Sequence, residues 1–134
     1  MPASTYLANK LLDHQNGKTS FTMPTAVHIG LSTTTPTAAG TNVTEPSGGG
    51  YARVTTSGAT WAAASAGATS NANAITFPEA SSTWLSGANF THVVIYDAST
   101  SGNMLSFGAI TVAKSATAGD TLSIAPGELD MTLS

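Results

Sequence analysis

Few groups in this chain can carry acid–base or metal chemistry: His14, His28, His92 and the acids Asp13, Glu45, Glu79, Asp97, Asp120, Glu128 and Asp130. A metal site needs histidines converging with carboxylates, and neither an i, i+4 pair nor an HExxH spacing occurs. His28 falls on the polar side of an alternating segment, where solvation is its ordinary role. His92 shares a face with Phe90 and Tyr96, as a hydrogen-bonded core or interface histidine would. Glycoside hydrolysis requires two carboxyls facing each other across a cleft. A pair such as Glu79 and Asp97 is compatible with that, but nothing singles it out, and most of the acids stand beside Gly, Ser or Pro, as turn-forming acids do. Serine is abundant, yet there is no G-x-S-x-G elbow to strain a nucleophile. Gly48, Gly49 and Gly50 lack the downstream Gly-Lys-Ser/Thr and the following helix of a phosphate loop. No catalytic, metal-binding or cofactor-binding residue is expected, and the chain reads as a non-enzyme.

Its composition points the same way. Charged residues make up 8% of the 134 residues, about a third of the ~25% usual in soluble domains. Ala, Thr, Ser and Gly stand where Lys and Glu would be, and such a neutral surface suits a protein packed against neighbours. A secreted or lectin-like β-domain with a Ser/Thr-rich exterior is the other reading of this composition. The net charge is −3, and the four basic residues Lys10, Lys18, Arg53 and Lys114 are scattered. No phosphate-tracking stripe results, so nucleic acid is not an expected partner. Cysteine is absent, which removes disulfides and thiolate chemistry. No basic n-region, long apolar run or signal peptide is visible, so neither a membrane partner nor glycosylation at the sequons Asn42-Val43-Thr44 and Asn89-Phe90-Thr91 is expected. The protein is expected to be made in a cytoplasm and used as made.

The elements that would position these residues are mostly strands. One helix is expected over about 4–16, with Ser4 as N-cap, Leu7 and Leu11 on one stripe and Gly17 closing it. Residues 27–32 alternate, Val27, Ile29 and Leu31 facing in and His28, Gly30 and Ser32 facing out. A long Thr/Pro/Gly loop covers 33–50; loops of this length are usually functional or flexible. Extended segments are expected at 51–56, 60–64, 73–77, 90–97, 103–112, 120–124 and 129–133, with 65–72 as a turn or wide loop. In 90–97, Phe90, His92, Val94 and Tyr96 form one face and Val93 and Ile95 the other; in the last segment Leu129, Met131 and Leu133 face inward. About eight short strands with turn residues between them indicate a mainly β fold. It is read as one antiparallel β-sandwich domain over 1–134, jelly-roll-like, with one short N-terminal α-helix.

Several segments together resemble a family of short bacteriophage proteins labelled virion, decoration or tail-fibre proteins. They are the helix from Tyr6 to His14, the strand from Val27 to Pro36, the run Glu45-Pro46-Ser47-Gly48-Gly49-Gly50-Tyr51-Ala52-Arg53, Ile75-Thr76-Phe77-Pro78, and the stretch from Gly119 to Leu129. The resemblance spans nearly the whole chain and implies a particle component without catalytic residues. Two roles follow from it. A capsid decoration (cement) protein would bind the major capsid protein or other virion proteins as a homo-oligomer, through many weak neutral contacts. A tail, baseplate or fibre component would instead bind a host surface or link tail parts. Capsid decoration is the main expectation. The partner-contact candidates are Thr33, Thr34, Thr35, Pro36, Pro46, Gly48, Gly49, Gly50, Tyr51 and Arg53, with the helix as a second surface. Trp61, Trp84 and Tyr51 are candidates for an aromatic platform, with core packing the favoured alternative for both tryptophans.

Overall fold

The most apolar alternating segments of the sequence become the centre of one sheet. In this computed structural model, which describes residues 1–133, the chain is mainly β with one helix, and its strands pair antiparallel. The helix is α1 (Thr5–Gln15) and the strands are β1 (Val27–Ser32), β2 (Val54–Thr56), β3 (Ala68–Ser70), β4 (Ile75–Thr76), β5 (Phe90–Tyr96), β6 (Met104–Lys114), β7 (Ser123–Ile124) and β8 (Asp130–Thr132). A four-stranded sheet has the order β2-β1-β5-β6, and β3–β8 and β4–β7 form two ribbons. No closed barrel forms among the described residues.

The core lies between one face of the large sheet and the ribbons with their loops. Ile29, Leu31, Val93, Ile95 and Leu105 from the sheet meet Ile75, Phe77, Ala80, Trp84 and Leu129. The opposite face, with Val94, Tyr96 and Met104, carries a smaller cluster completed by Val43 and Phe107.

The helix starts as its sequence dictates. Buried Ser4 caps it, accepting from the Leu7 N–H at 3.1 Å, and Gly17 follows the last turn at φ +72°. Ser4 N–H also donates to Leu105 O, which ties the helix start to β6. No residue of α1 is fully buried, so its apolar stripe is only half covered.

Several strand expectations change in the structure. The outward face of β1 is not solvated: Gly30 and Ser32 are buried with Ile29 and Leu31, because the 33–50 loop folds back over them. Phe90 joins Val93 and Ile95 in the main core rather than Val94 and Tyr96, because a register shift between Phe90 and His92 reverses the alternation. At 60–64 a 3₁₀ turn (Gly58–Thr60) ends and a lone bridge from Trp61 to Asn71 follows, instead of a strand. Part of 65–72 is a strand, since β3 pairs with β8; its small residues carry no hydrophobic alternation to announce it. The extended run at 120–124 shrinks to β7, because Asp120 is committed to a turn with Thr117. Leu129 is buried and Met131 half-buried, but Leu133 is exposed, at the end of a ribbon with no third strand beyond it.

Candidate functional site

The 33–50 loop has no regular strand, so its backbone groups must be satisfied otherwise. Its threonines and Ser32, the last residue of β1, do this. Ser32 Oγ accepts from Thr34 N–H and Thr44 N–H, and Thr34 Oγ1 donates to Asn42 O at 2.7 Å. Thr37 and Thr41 bond through their hydroxyls, Asn42 Nδ2 donates to Thr35 O, and Thr33 N–H reaches Thr44 O. Thr5 N–H at the helix start donates to Ala38 O.

Two stations anchor the end of the loop. At the first, Arg53 Nε donates to both Glu45 oxygens, at 3.0 and 3.2 Å, and Nη1 donates to Ala98 O and Ser101 O. The guanidinium lies 3.6 Å from the Tyr96 ring centroid, a stacked cation–π contact. This ion pair, the only one among the described residues, is largely buried. Beside it, the Tyr51 hydroxyl accepts from Leu31 N–H, filling the place where short β2 offers no ladder partner. Burial pushes the Tyr51 hydroxyl well above its ordinary range, the Glu45 carboxylate adds to this, and the Leu31 N–H and Arg53 offset part of it. Tyr96 shifts upward too, first by burial and then through Glu45.

The second station explains the three glycines. Gly48, Gly49 and Gly50 take φ +76°, +63° and +81°, a left-handed run that side chains disfavour. The run passes over buried Trp84, whose Nε1 donates to Gly49 O at 2.8 Å. A Cβ on Gly49 would stand 2.8 Å from Ser82 Oγ and 3.0 Å from Trp84 Cδ1. The close approach is thus to the chain's own tryptophan.

The contact candidates divide accordingly. Pro36 and Pro46 are buried; Thr33, Thr34, Gly49, Tyr51 and Arg53 are half-buried; Thr35, Gly48 and Gly50 are exposed. Of the aromatic candidates, Trp84 is core and packs edge-on to Tyr51 and Phe90, and Tyr51 stacks on Phe77. Half-buried Trp61 donates from Nε1 to Thr56 Oγ1.

The titratable groups scatter into local roles. His28 Nδ1 bonds with Thr55 Oγ1, and His14 Nδ1 accepts from Phe21 N–H. Asp97 accepts from Asn103 N–H and Nδ2, closing a turn. Asp120 accepts from Thr117 N–H and Oγ1, which lower its carboxyl below the ordinary range. No group of three or more His, Asp or Glu able to hold a metal occurs among the described residues, and no helix there is long and apolar enough to cross a membrane.

Two surface features went unnoticed in the sequence. A groove of about 620 Å³ opens beside β6, with Leu31, Phe77, Phe90 and Val93 among its lining and Lys114, Glu128 and Asp130 also bordering it. A smaller apolar groove of about 280 Å³ lies between α1 and the β3–β8 ribbon, lined by Leu7, Leu11, Met131 and Leu133 among others. A readable signal existed for the first: from 104 to 113 the chain has neither charge nor proline.

This β-rich scaffold with an ordered Thr/Gly loop is matched over residues 2–132 by the family model described as podophage GP4 fiber I protein gp80. The chain belongs to this family. It is therefore a structural component of a bacteriophage particle. The segments that suggested a virion protein all lie inside the match. Comparison with curated proteins gives no match. For the gp80 family member described here, the fibre description fits the tail or fibre expectation better than the capsid decoration one.

Proposed function

We propose that this gp80-family protein is a non-catalytic component of a podophage fibre, where it joins virion proteins to one another. The observation that carries the reading is the family match over residues 2–132. Linking of parts is favoured over recognition of a host polysaccharide, because the aromatic candidates are turned to internal use. Trp84 and Tyr51 belong to one ring cluster, and the Trp61 indole N–H is bound to Thr56. Exposed Thr35, Gly48 and Gly50 and the outer flank of α1 are the contact surface we assign to partners, on a scaffold read as one sandwich-like domain. Capsid decoration has only the neutral surface in its favour, and jelly-roll wrapping remains the finer version of the sandwich reading.

Antibody labelling of intact particles, or density from particle images, tests the assignment. Signal at the tail with none on the shell is expected. Signal repeating over the capsid lattice would overturn it in favour of decoration. A glycan array extends the test: saturable micromolar binding to bacterial surface polysaccharides would overturn the linking role while leaving a fibre location intact.

A further inference from the structure

An asparagine followed by glycine loses its side-chain amide readily in water. Glycine has no Cβ to keep its own backbone nitrogen away from the preceding side-chain carbonyl. The pair occurs once in this chain, at Asn16-Gly17. Asn9, Asn42, Asn71, Asn73, Asn89 and Asn103 are followed by Lys, Val, Ala, Ala, Phe and Met.

The fold leaves this pair open to reaction. Asn16 and Gly17 are both exposed, and a Cβ on Gly17 would meet nothing within 4 Å. The Asn16 side chain makes no hydrogen bond among the described residues, whereas those of Asn42, Asn71, Asn73 and Asn103 are each bonded. Asn16 is the C-cap of α1, and Gly17 closes the helix in a Schellman arrangement. Lys18 N–H donates to Asp13 O at 2.9 Å and Gly17 N–H to His14 O at 3.2 Å. The longer bond is the one that must open to free the reacting nitrogen. It belongs to the last turn of a helix with no fully buried residue, and helix ends fray. Little beyond the turn resists, since residues 20–26 form neither helix nor strand and Phe21 N–H on His14 Nδ1 is their tie to α1.

We infer that Asn16 is a site of spontaneous deamidation, and that the reaction unfastens the C-terminal end of α1. When the last turn frays, the Gly17 nitrogen gives its proton to hydroxide and attacks Asn16 Cγ. The N–Cγ bond forms, the Cγ–Nδ2 bond breaks, and Nδ2 takes a proton from water and leaves as ammonia. Water then opens the succinimide ring, giving aspartate by attack at Cγ and isoaspartate by attack at the main-chain carbonyl. Overall, one amide and one water become one carboxylic acid and one ammonia. Both products ionise at the helix C-terminus, where the macrodipole already presents its negative end. Isoaspartate also carries the chain through Cβ and Cγ, which lengthens the backbone by one atom. The Gly17 and Lys18 bonds to the helix then lose their register. The other end of α1 is tied separately, through Ser4 N–H to Leu105 O and Thr5 N–H to Ala38 O, so the sheet stays folded. This inference does not depend on where in the particle the protein sits.

Ageing the full chain at neutral and at mildly alkaline pH, followed by trypsin and mass spectrometry, tests it, because Lys10 and Lys18 bound a peptide of residues 11–18. That peptide is expected to gain the mass of an amide-to-acid change and to split into aspartate and isoaspartate forms, faster at the higher pH. Peptides holding the other asparagines should stay unchanged. Gly17→Ala should slow the reaction about tenfold or more. It also strains the cap at φ +72°, so slower reaction in this variant separates the chemistry from simple loosening. Amide exchange at 12–19 should quicken in the aged protein and in Asn16→Asp, with an unchanged thermal melt. An unaltered 11–18 peptide, under ageing that converts the chain unfolded in guanidinium, would overturn the site. So would equal rates for the wild type and Gly17→Ala. Deamidation that leaves exchange at 12–19 untouched would overturn the unfastening of α1.

Discussion

Replacing Arg53 by Met should release the end of the 33–50 loop, and the structure sets the size of the effect. The side chain is 8% exposed and Glu45 is 19% exposed. The substitution keeps most of the aliphatic volume but deletes the hydrogen bonds to Glu45, Ala98 O and Ser101 O together with the contact on Tyr96. Removing one partner of a buried ion pair costs about 3–5 kcal/mol, chiefly because the other charge is stranded. Water reaches Glu45 in part, so the low end applies, about 3 kcal/mol. Arg53→Lys keeps the charge but cannot span carboxylate and carbonyls with one planar fork, so it should destabilise less than Arg53→Met but still measurably. Glu45→Gln retains an acceptor and should cost about 1–2 kcal/mol. If the pair acts as a unit, Glu45→Gln combined with Arg53→Met should cost at least ~1 kcal/mol less than the sum of the singles. Urea unfolding followed by tryptophan fluorescence measures all four, and Trp84, bonded to Gly49 O, reports directly on the loop. Amide exchange at 42–50 should accelerate in Arg53→Met before global unfolding. A loss below ~1 kcal/mol, or strict additivity of the two singles, would refute the claim that this pair fastens the loop.

The glycine run should yield graded costs. Gly48→Ala meets open space and incurs only the left-handed backbone penalty, about 1–2 kcal/mol, whereas Gly49→Ala must also push into Ser82 and Trp84 and should cost at least ~1 kcal/mol more. Equal melting temperatures for the two variants would show that the Trp84 contact is not what requires Gly49. Alkaline stability should depend on Tyr51 and Tyr96, both shifted upward in the fold. Their contribution is full below the unfolded tyrosine value near 10 and is lost as pH rises from there toward the folded values, at up to about 1.4 kcal/mol per pH unit for each tyrosine. Denaturant titrations from pH 9 to 11 measure the slope, which Tyr51→Phe should reduce; a flat profile would contradict the burial of both hydroxyls.

What the sequence reveals follows from which signals are local. Ser4, Leu7 and Leu11 announce α1 because capping and helical spacing are encoded within one short segment. Strands β1 and β5 declare themselves by apolar alternation, but the face of Phe90 does not, because a bulge reverses parity and bulges leave no periodic trace. β3 is silent for a related reason: Ala68, Thr69 and Ser70 are held by a ladder to β8, more than fifty residues away. The same limit governs the contact candidates. Gly48 to Gly50 look available to a partner in sequence, and only the fold shows that Trp84 lies beneath them.

The low charge of the chain also takes on a more specific meaning. A surface rich in Thr and Ser suggested many weak contacts with neighbours. In the 33–50 loop, however, much of that polarity is spent internally: hydroxyls of Thr34, Thr37 and Thr41, with that of Ser32 at the end of β1, bond to the loop backbone and to one another where the loop has no strand ladder. A hydroxyl already bonded in this way has less to offer a partner, because making a new contact means exchanging one hydrogen bond for another with little net gain. The backbone of residues 110–113, by contrast, has no ladder partner on β5, and Ile110, Thr111 and Val112 line the large groove. Neutral composition therefore serves two ends in this fold. It lets a long loop satisfy itself without strands, and it leaves the bulged stretch 110–113 of β6 without a charge beside the large groove.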